Sequence, residues 1–309
     1  MTKTACVFPG QGSQSVGMLK ELAADYPVVE ATFKEASEVL GYDLWKLVQN
    51  DADGQLNETH ITQPALLTAS VATWRVIREQ GLNVDYLAGH SLGEYSALVC
   101  GGAMKFADAV KLVEARGKYM QEAVPAGAGA MFAIIGLDDA SIANLCQQTA
   151  IATGDVVAPV NFNSPGQVVI AGEKSAAEQA AQACKEAGAK RVLPLAVSVP
   201  SHCELMRPAA DKLEDALASL SVSEPTINIV NNVDVTIETQ GEAIKNALVR
   251  QLYCPVQWTR TVEYLAAAGV ERVIEVGPGK VLTGLNKRIN KSLESLAVNT
   301  PEGVEALKQ

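Results

Sequence analysis

Histidine is scarce in this 309-residue chain, which holds three, at positions 60, 90 and 202. Chemistry that needs an imidazole therefore has few places to come from. Aromatic residues make up 5% and charged residues 19%, against 48% in the hydrophobic set, so a sizeable core is available and extended disorder is not expected. The six cysteines, at 6, 100, 146, 184, 203 and 254, include no CxxC pair. Without metal-like spacing they read as reduced thiols rather than a disulfide framework. Positive charge is in deficit: 25 Lys and Arg face 35 Asp and Glu, a formal net charge of -10, which repels a phosphate backbone. Nucleic acid is not an expected partner, and any phosphate-bearing ligand would need a local Lys/Arg cluster of its own. Long uncharged runs, such as 156–172, are broken by Asn161, Asn163, Pro165 and Gly166 and do not read as membrane spans. The start, MTKTACVFPGQGSQ, breaks at Pro9 and Gly10 and lacks a secretory apolar core, so a soluble, cytoplasmic protein is expected.

What is present is an alternation of short β-rich runs with longer helical patterns. Thr4–Phe8 precedes a helix near Gly17–Asp25, and Tyr86–Ala88 precedes a helix from Gly93, the order of a parallel sheet. After a turn-rich break at Pro125–Gly129 the pattern changes. Strand (Ala130–Ile135), helix (Asp139–Ala150), strand (Val156–Val160), strand (Gln167–Ala171), helix (Ser175–Ala187) and strand (Arg191–Val197) follow. That βαββαβ order closes on itself as a ferredoxin-like unit. The expected fold is α/β: a large subdomain with a parallel sheet over residues 1–127 and 198–309, carrying a ferredoxin-like small subdomain at 128–197. The second half of the large unit reads as a helix near Ala209–Leu220, a strand at Ile227–Asn231, a helix from Glu242 and a strand at Arg272–Val276. A Gly277-Pro278-Gly279 turn and a last helix follow. The tail after Ser292 carries no clear pattern.

Gly89-His90-Ser91-Leu92-Gly93 matches GxSxG and lies between a short apolar strand and a helix. A sharp strand-to-helix turn needs small residues on both sides, and it presents the serine hydroxyl at the helix N-terminus with the next amide facing a developing oxyanion. Ser91 is the candidate nucleophile, with the Leu92 amide as oxyanion donor. A glycine-rich turn with a capping serine is the plainer alternative. A hydroxyl needs a base. His90 adjoins the serine but points elsewhere, and His60 is expected in a polar loop, Asn57-Glu58-Thr59-His60. His202, following Val197-Ser198-Val199-Pro200, falls at the carboxyl edge of the expected last strand of the insertion, where open α/β sheets assemble their sites. No acidic residue announces itself as the group that orients the imidazole, so a backbone or amide carbonyl is an alternative. Cys100 and Cys203 occupy no strained turn and read as structural.

Two further features stand out. Phe8-Pro9-Gly10-Gln11-Gly12-Ser13-Gln14 follows a strand; it lacks GxxxxGK[ST], so the Gln11 amide is better read as an oxyanion donor than as part of a nucleotide loop. On the helix Lys105–Gln121, Phe106, Ala109, Val110, Val113 and Met120 form an apolar stripe. At about 100° per residue Arg116 falls beside that stripe, away from the polar arc. An inward guanidinium needs an anion: a carboxylate of the protein, or one on a substrate.

Taken together, FPGQGSQ (Phe8–Gln14), GHSLGEYSAL (Gly89–Leu98), the Arg116 helix, NFNSPGQVVIAG (Asn161–Gly172), VPSH (Val199–His202), QLYCPVQW (Gln251–Trp258) and EVGPGKVL (Glu275–Leu282) closely resemble the malonyl-CoA:acyl carrier protein transacylases. The motifs cover the chain nearly end to end and recur in the acyltransferase domains of polyketide and animal fatty acid synthases. A chain of this size resembles the discrete bacterial type II enzyme. The resemblance implies an α/β-hydrolase-like large subdomain with the ferredoxin-like insertion, and an active site in the cleft between them. It implies Ser91 as nucleophile, His202 as base, the amides of Gln11 and Leu92 as oxyanion hole, and Arg116 as clamp on the malonyl carboxylate. The Gln251 carbonyl would orient His202, and Asn161 would line the cleft. The implied partners are malonyl-CoA and an acyl carrier protein serving fatty acid synthesis, with no cofactor, no metal, no membrane, and a monomeric enzyme. Carrier proteins of this system are generally acidic, so Lys190 with Arg191 and Lys287 with Arg288 are candidate docking pairs, or else solvated surface charge. Two rival functions stay open: a serine esterase or thioesterase with water as acceptor, and a non-catalytic carrier-protein-binding module.

Overall fold

Lys3–Phe8 forms the first strand, β1, and five of its six residues are buried, as a parallel sheet covered on both faces demands. The computed structural model describes residues 2–197 and 199–308. Four helices follow β1: α1 (Lys20–Asp25), α2 (Val28–Leu40), α3 (Leu44–Asn50) and α4 (Thr59–Glu79). Strand β2 (Tyr86–Gly89) then leads into α5 (Gly93–Cys100) and α6 (Phe106–Ala123). The next block is β3 (Gly129–Ile135), α7 (Asp139–Thr153), β4 (Val157–Ser164), β5 (Gln167–Glu173), α8 (Lys174–Glu186) and β6 (Arg191–Pro194). The chain closes with α9 (Arg207–Ala218), β7 (Asn228–Val230), α10 (Gly241–Gln251), α11 (Trp258–Ala267), β8 (Val270–Val276), α12 (Val281–Ile289), β9 (Glu294–Val298) and α13 (Pro301–Ala306).

The strands form two sheets. β7-β2-β1-β8-β9 is five-stranded, and every pairing in it is parallel. Apolar residues pack on both its faces, with Phe8, Leu87 and Ile274 in one cluster and Val7, Ala88 and Val273 in the other. The second sheet has the order β4-β5-β3-β6 and is antiparallel throughout. Along β5 the side chains alternate: Val168 and Ile170 join Ile142, Cys146 and Ala180 under α7 and α8. Val169 and Ala171 join Met131 and Val160 on the other face, the period of two that a pleated strand imposes. Met131 and Val169, on that second face, line the cavity described below.

The α/β class and the two sheets agree with the sequence reading; several details do not. The tail after Ser292 holds a fifth parallel strand, β9, and the capped helix α13, in which Thr300 accepts from the Gly303 amide. His60 stands in the first turn of α4 rather than in a loop. The strand expected over Arg191–Val197 stops at Pro194, where the ring removes a ladder donor on an edge strand. Ser198, at which the large unit was expected to resume, lies outside the described residues. Among the described residues no helix is long and apolar enough to cross a membrane.

Candidate active site

Between β2 and α5 the backbone turns so tightly that Ser91 adopts φ +50°, the left-handed region that side chains other than glycine rarely enter. The flanking glycines are required by contact, not by habit. A β-carbon on Gly89 would meet the carbonyl of Gly93, and one on Gly93 would meet the carbonyl oxygen of Phe8 at the end of β1. The turn is tied down by a side chain from beyond β7. The Ser91 amide donates to Asn232 Oδ1 at 2.7 Å, and Asn232 Nδ2 donates to the Gly89 carbonyl.

Ser91 Oγ lies 2.8 Å from His202 Nε2. His202 Nδ1 faces the backbone carbonyl of Gln251 at 2.6 Å, and since a carbonyl can only accept, Nδ1 carries the proton. Nε2 is then a free lone pair, and the serine hydroxyl donates to it. His202 reaches this place differently from the sequence expectation. It sits at no strand edge but on a turn of its own, φ +63°, held by its amide on the Leu252 carbonyl at 3.0 Å. The C-terminal end of α10, not the insertion's last strand, holds the imidazole.

Arg116 is buried, 1% exposed, as its position beside the apolar stripe predicted. Its Nη1 donates to Gln63 Oε1 at 2.8 Å, its Nη2 to Gln251 Oε1 at 2.9 Å and to Ser91 Oγ at 3.4 Å. Nε has no partner, and the guanidinium stacks 5.3 Å from the Tyr95 ring centroid. Among the described residues no carboxylate forms an ion pair with it, so the salt-bridge alternative is not realised. The cation is held by two amide oxygens, with N–H groups left over.

These groups line a cavity of about 380 Å³. Gln11, Gln63, Ser91, Leu92, Arg116 and His202 come from the segments around the parallel sheet; Met131, Asn161, Asn163 and Val169 come from the antiparallel one, and Leu195 from just past β6. Neither the Gln11 nor the Leu92 amide donates to a protein acceptor among the described residues. Asn161 is placed by a bulge: the β4–β5 register slips between Pro159 and Asn161, which re-aims side chains locally. The displaced backbone bonds instead to Val256, through Val256 N to the Val160 carbonyl at 2.9 Å and Phe162 N to the Val256 carbonyl at 3.0 Å. Lys190, Arg191, Lys287 and Arg288 are exposed and do not line the cavity. Arg288 Nη1 donates to Gln167 Oε1 at 2.6 Å, and Ile135 pairs with both Gln167 and Arg191, so the two basic pairs flank one end of the small sheet.

Burial dominates the electrostatics. It pushes His202 down to about 3, with the Arg116 charge adding to the effect. Burial likewise lowers Arg116 from its ordinary value and raises Glu94, just behind the turn, to about 7.

A family model described as the acyl transferase domain matches residues 5–303. The malonyl CoA-acyl carrier protein transacylase of Escherichia coli strain K12 is 66% identical over 99% of both chains, and that of Bacillus subtilis strain 168 is 45% identical over 99% of this chain and 96% of its own. The chain belongs to the malonyl CoA-acyl carrier protein transacylase family. It is an acyltransferase. An acyl carrier protein S-malonyltransferase from Vibrio cholerae is 63% identical, with a TM-score of 0.96 over 99% of this chain and all of that one. A malonyl-transacylase in complex with a type II PKS acyl-carrier protein is 60% identical, with a TM-score of 0.97 over 99% of this chain and 98% of that one.

Gln63, Glu94 and Asn232, whose side chains bond to Arg116, Gln251 and the Ser91 turn, were given no role by the sequence reading. Glu94 stands three positions after Ser91, in the first turn of α5, and only the fold brings Gln251 and Asn232 to it. His90, set aside as pointing elsewhere, does point away from Ser91 Oγ: its Nε2 meets Asn163 Oδ1 at 2.8 Å, and its ring packs 5.7 Å from that of Trp258.

Proposed function

We propose that this chain moves a malonyl group from malonyl-CoA to the phosphopantetheine thiol of an acyl carrier protein through a malonyl ester on Ser91, supplying fatty acid synthesis. One observation carries the reading: the Ser91 hydroxyl donates to an imidazole of fixed tautomer while lying 3.4 Å from the Arg116 guanidinium. The malonyl carboxylate pairs with Arg116, whose planar fork suits it. Ser91 Oγ attacks the thioester carbon as His202 Nε2 takes its proton, and the oxyanion is received by the Gln11 and Leu92 amides. Collapse breaks the C–S bond, and the proton passes from His202 to the departing CoA sulfur. The carrier-protein thiol then gives its proton to His202, attacks the ester carbon and returns the serine hydroxyl. A thioester is exchanged for a thioester through an ester, in ping-pong order, without a cofactor or metal.

The Gln251 carbonyl keeps His202 in its working tautomer, and Asn161 forms part of the cleft wall. Residues 128–197 act as an inserted subdomain that covers the site on a large subdomain of 1–127 and 198–309. The Lys190–Arg191 and Lys287–Arg288 pairs, which share one end of the small sheet, receive the acidic carrier protein, and the enzyme works as a monomer. Mixing with malonyl-CoA and weighing the intact protein tests the core of this. Wild type gains one malonyl group and loses it to added carrier protein, whereas Ser91→Ala gains nothing. Release of free malonate at a similar rate without carrier protein would make it a thioesterase instead.

A further inference from the structure

Behind the reacting groups lies a carboxylate that no step above uses. Glu94 is 3% exposed, and its Oε2 accepts from Gln251 Nε2 at 2.7 Å and from the Asn232 amide at 3.1 Å. Each partner faces the site with its other end. Gln251 offers Oε1 to Arg116 at 2.9 Å and its backbone carbonyl to His202 Nδ1 at 2.6 Å, and Nε2 also reaches the Ser91 carbonyl at 3.1 Å. Asn232 holds the Ser91 amide and the Gly89 carbonyl. One carboxylate oxygen therefore terminates two chains of hydrogen bonds that reach the nucleophile, the base and the clamp.

We propose that Glu94 is a positioning residue: it fixes the Gln251 amide between itself and Arg116, so aligning base and clamp together, and serves as Arg116's counter-charge at one amide's remove. This rests on the roles given above to Ser91, His202 and Arg116. An amide has a donor end and an acceptor end of nearly equal size, so its orientation is set by its partners. An acceptor-only carboxylate on one side and a donor-only guanidinium on the other leave Gln251 a single arrangement, since a flip would set N–H against N–H and oxygen against oxygen. A buried guanidinium and a buried carboxylate are each costly alone. Here the polarised amide joins them without contact between the charges.

The charged and titratable groups around Glu94 are Arg116 from α6, Tyr95 on its own helix, and Asp234 beyond β7, which is itself paired with Arg250 at 2.6 Å. Glu238 shares a small cavity with it, and His202 lies across Gln251. Glu94, pushed up by burial, changes charge near neutrality, whereas His202, pushed down, stays neutral there. Loss of activity on acidification through neutrality then reports Glu94, not the base.

The test is the rate of Ser91 malonylation by malonyl-CoA, followed by rapid quench and intact mass from acid to alkaline pH, with acetyl-CoA in parallel. Glu94→Gln keeps an oxygen acceptor and removes the charge. The expected result is a malonylation rate lower by on the order of 100-fold at neutral pH, a flattened acid limb and a smaller malonyl-over-acetyl preference. Glu94→Asp keeps the charge and shortens the reach, so it should lose rate and retain the limb, and it decides the matter if Glu94→Gln does not fold. A folded Glu94→Gln with wild-type rate, limb and preference, or a Glu94→Asp with wild-type rate, overturns the proposal. A wild type that never acylates on Ser91 overturns the underlying reading along with it.

Discussion

Arg116 Nη2 lies 3.4 Å from Ser91 Oγ, so the group proposed to hold the substrate's carboxylate touches the proposed nucleophile itself. A cation there has two opposed effects on proton transfer from Ser91 to His202. It favours the developing alkoxide, and it disfavours the imidazolium, which is part of why His202 is held down to about 3. A carboxylate that pairs with Arg116 offsets the cation's field and so weakens both effects, the penalty on the imidazolium among them. In the proposed mechanism a donor carrying a free carboxylate therefore raises the basicity of His202, and acetyl-CoA does not.

Removing the guanidinium should accordingly erode selectivity. Arg116→Ala is expected to lower kcat/KM for malonyl-CoA by about 2–3 kcal/mol relative to acetyl-CoA, on the order of a hundredfold, the value of a charge-assisted hydrogen-bonded pair in a dry site. Competition between the two thioesters for Ser91, read by intact mass, gives the ratio directly. An unchanged ratio would remove the clamp from the mechanism.

The same neighbour sets a pH prediction whose sign is fixed. Taking away a nearby cation favours the protonated imidazole, so Arg116→Gln should raise the His202 pKa from about 3 toward its ordinary 6.5. As pH falls through the raised value, Nε2 is occupied and cannot take the serine proton, so Ser91 acetylation slows with acid. Titration of the His202 ring signals by NMR in wild type and variant checks this, and a pKa that stays put would show that burial alone sets it.

How much of this was legible depends on how local the signal is. The Ser91 turn reads from five consecutive residues because the close backbone packing around it leaves no room for a β-carbon on either side. Arg116 reads from helical periodicity, which is a property of one element. The base was narrowed by the scarcity of histidine, but its mode of support was not visible: the Gln251 carbonyl that orients it is 49 positions away. Gln63, Glu94 and Asn232 are ordinary polar residues whose partners lie 53 to 157 positions off, and no period in the chain marks them. β9 was missed for a different reason. Glu294–Val298 is a five-residue strand with only Ser295 and Val298 buried, and at the sheet's edge it is covered far less than β1, five of whose six residues are buried.

The hydrogen bond from His90 to Asn163 joins the nucleophile turn to the β4–β5 hairpin, and so one wall of the cavity to the other. Asn163→Ala should cost about 1 kcal/mol, concentrated where the two sheets meet. The expected signs are a raised KM for malonyl-CoA with kcat held within a few-fold, and faster amide exchange in β4 and β5 than in β1 or β8. Equal exchange in the two sheets would mean that the contact does not hold the lobes together.

Two glycine substitutions should have opposite outcomes, and the pair separates close backbone packing from mere helix propensity. Gly93 opens α5 against the end of β1, and a methyl there would enter the Phe8 carbonyl oxygen; backbone cannot rotate aside as a side chain can. For Gly93→Ala, α5 must back away from the sheet and carry Ser91 with it, so we expect a loss of more than about 3 kcal/mol together with loss of Ser91 acylation. Gly284 lies on the exposed side of α12, and a methyl there meets nothing within 4 Å. Gly284→Ala should stabilise by about 0.5–1 kcal/mol, because alanine has less backbone freedom to lose, and should leave acylation untouched. Thermal and urea unfolding of the two variants beside wild type gives both signs. A Gly93→Ala protein with wild-type stability would mean that the turn has room the geometry denies it.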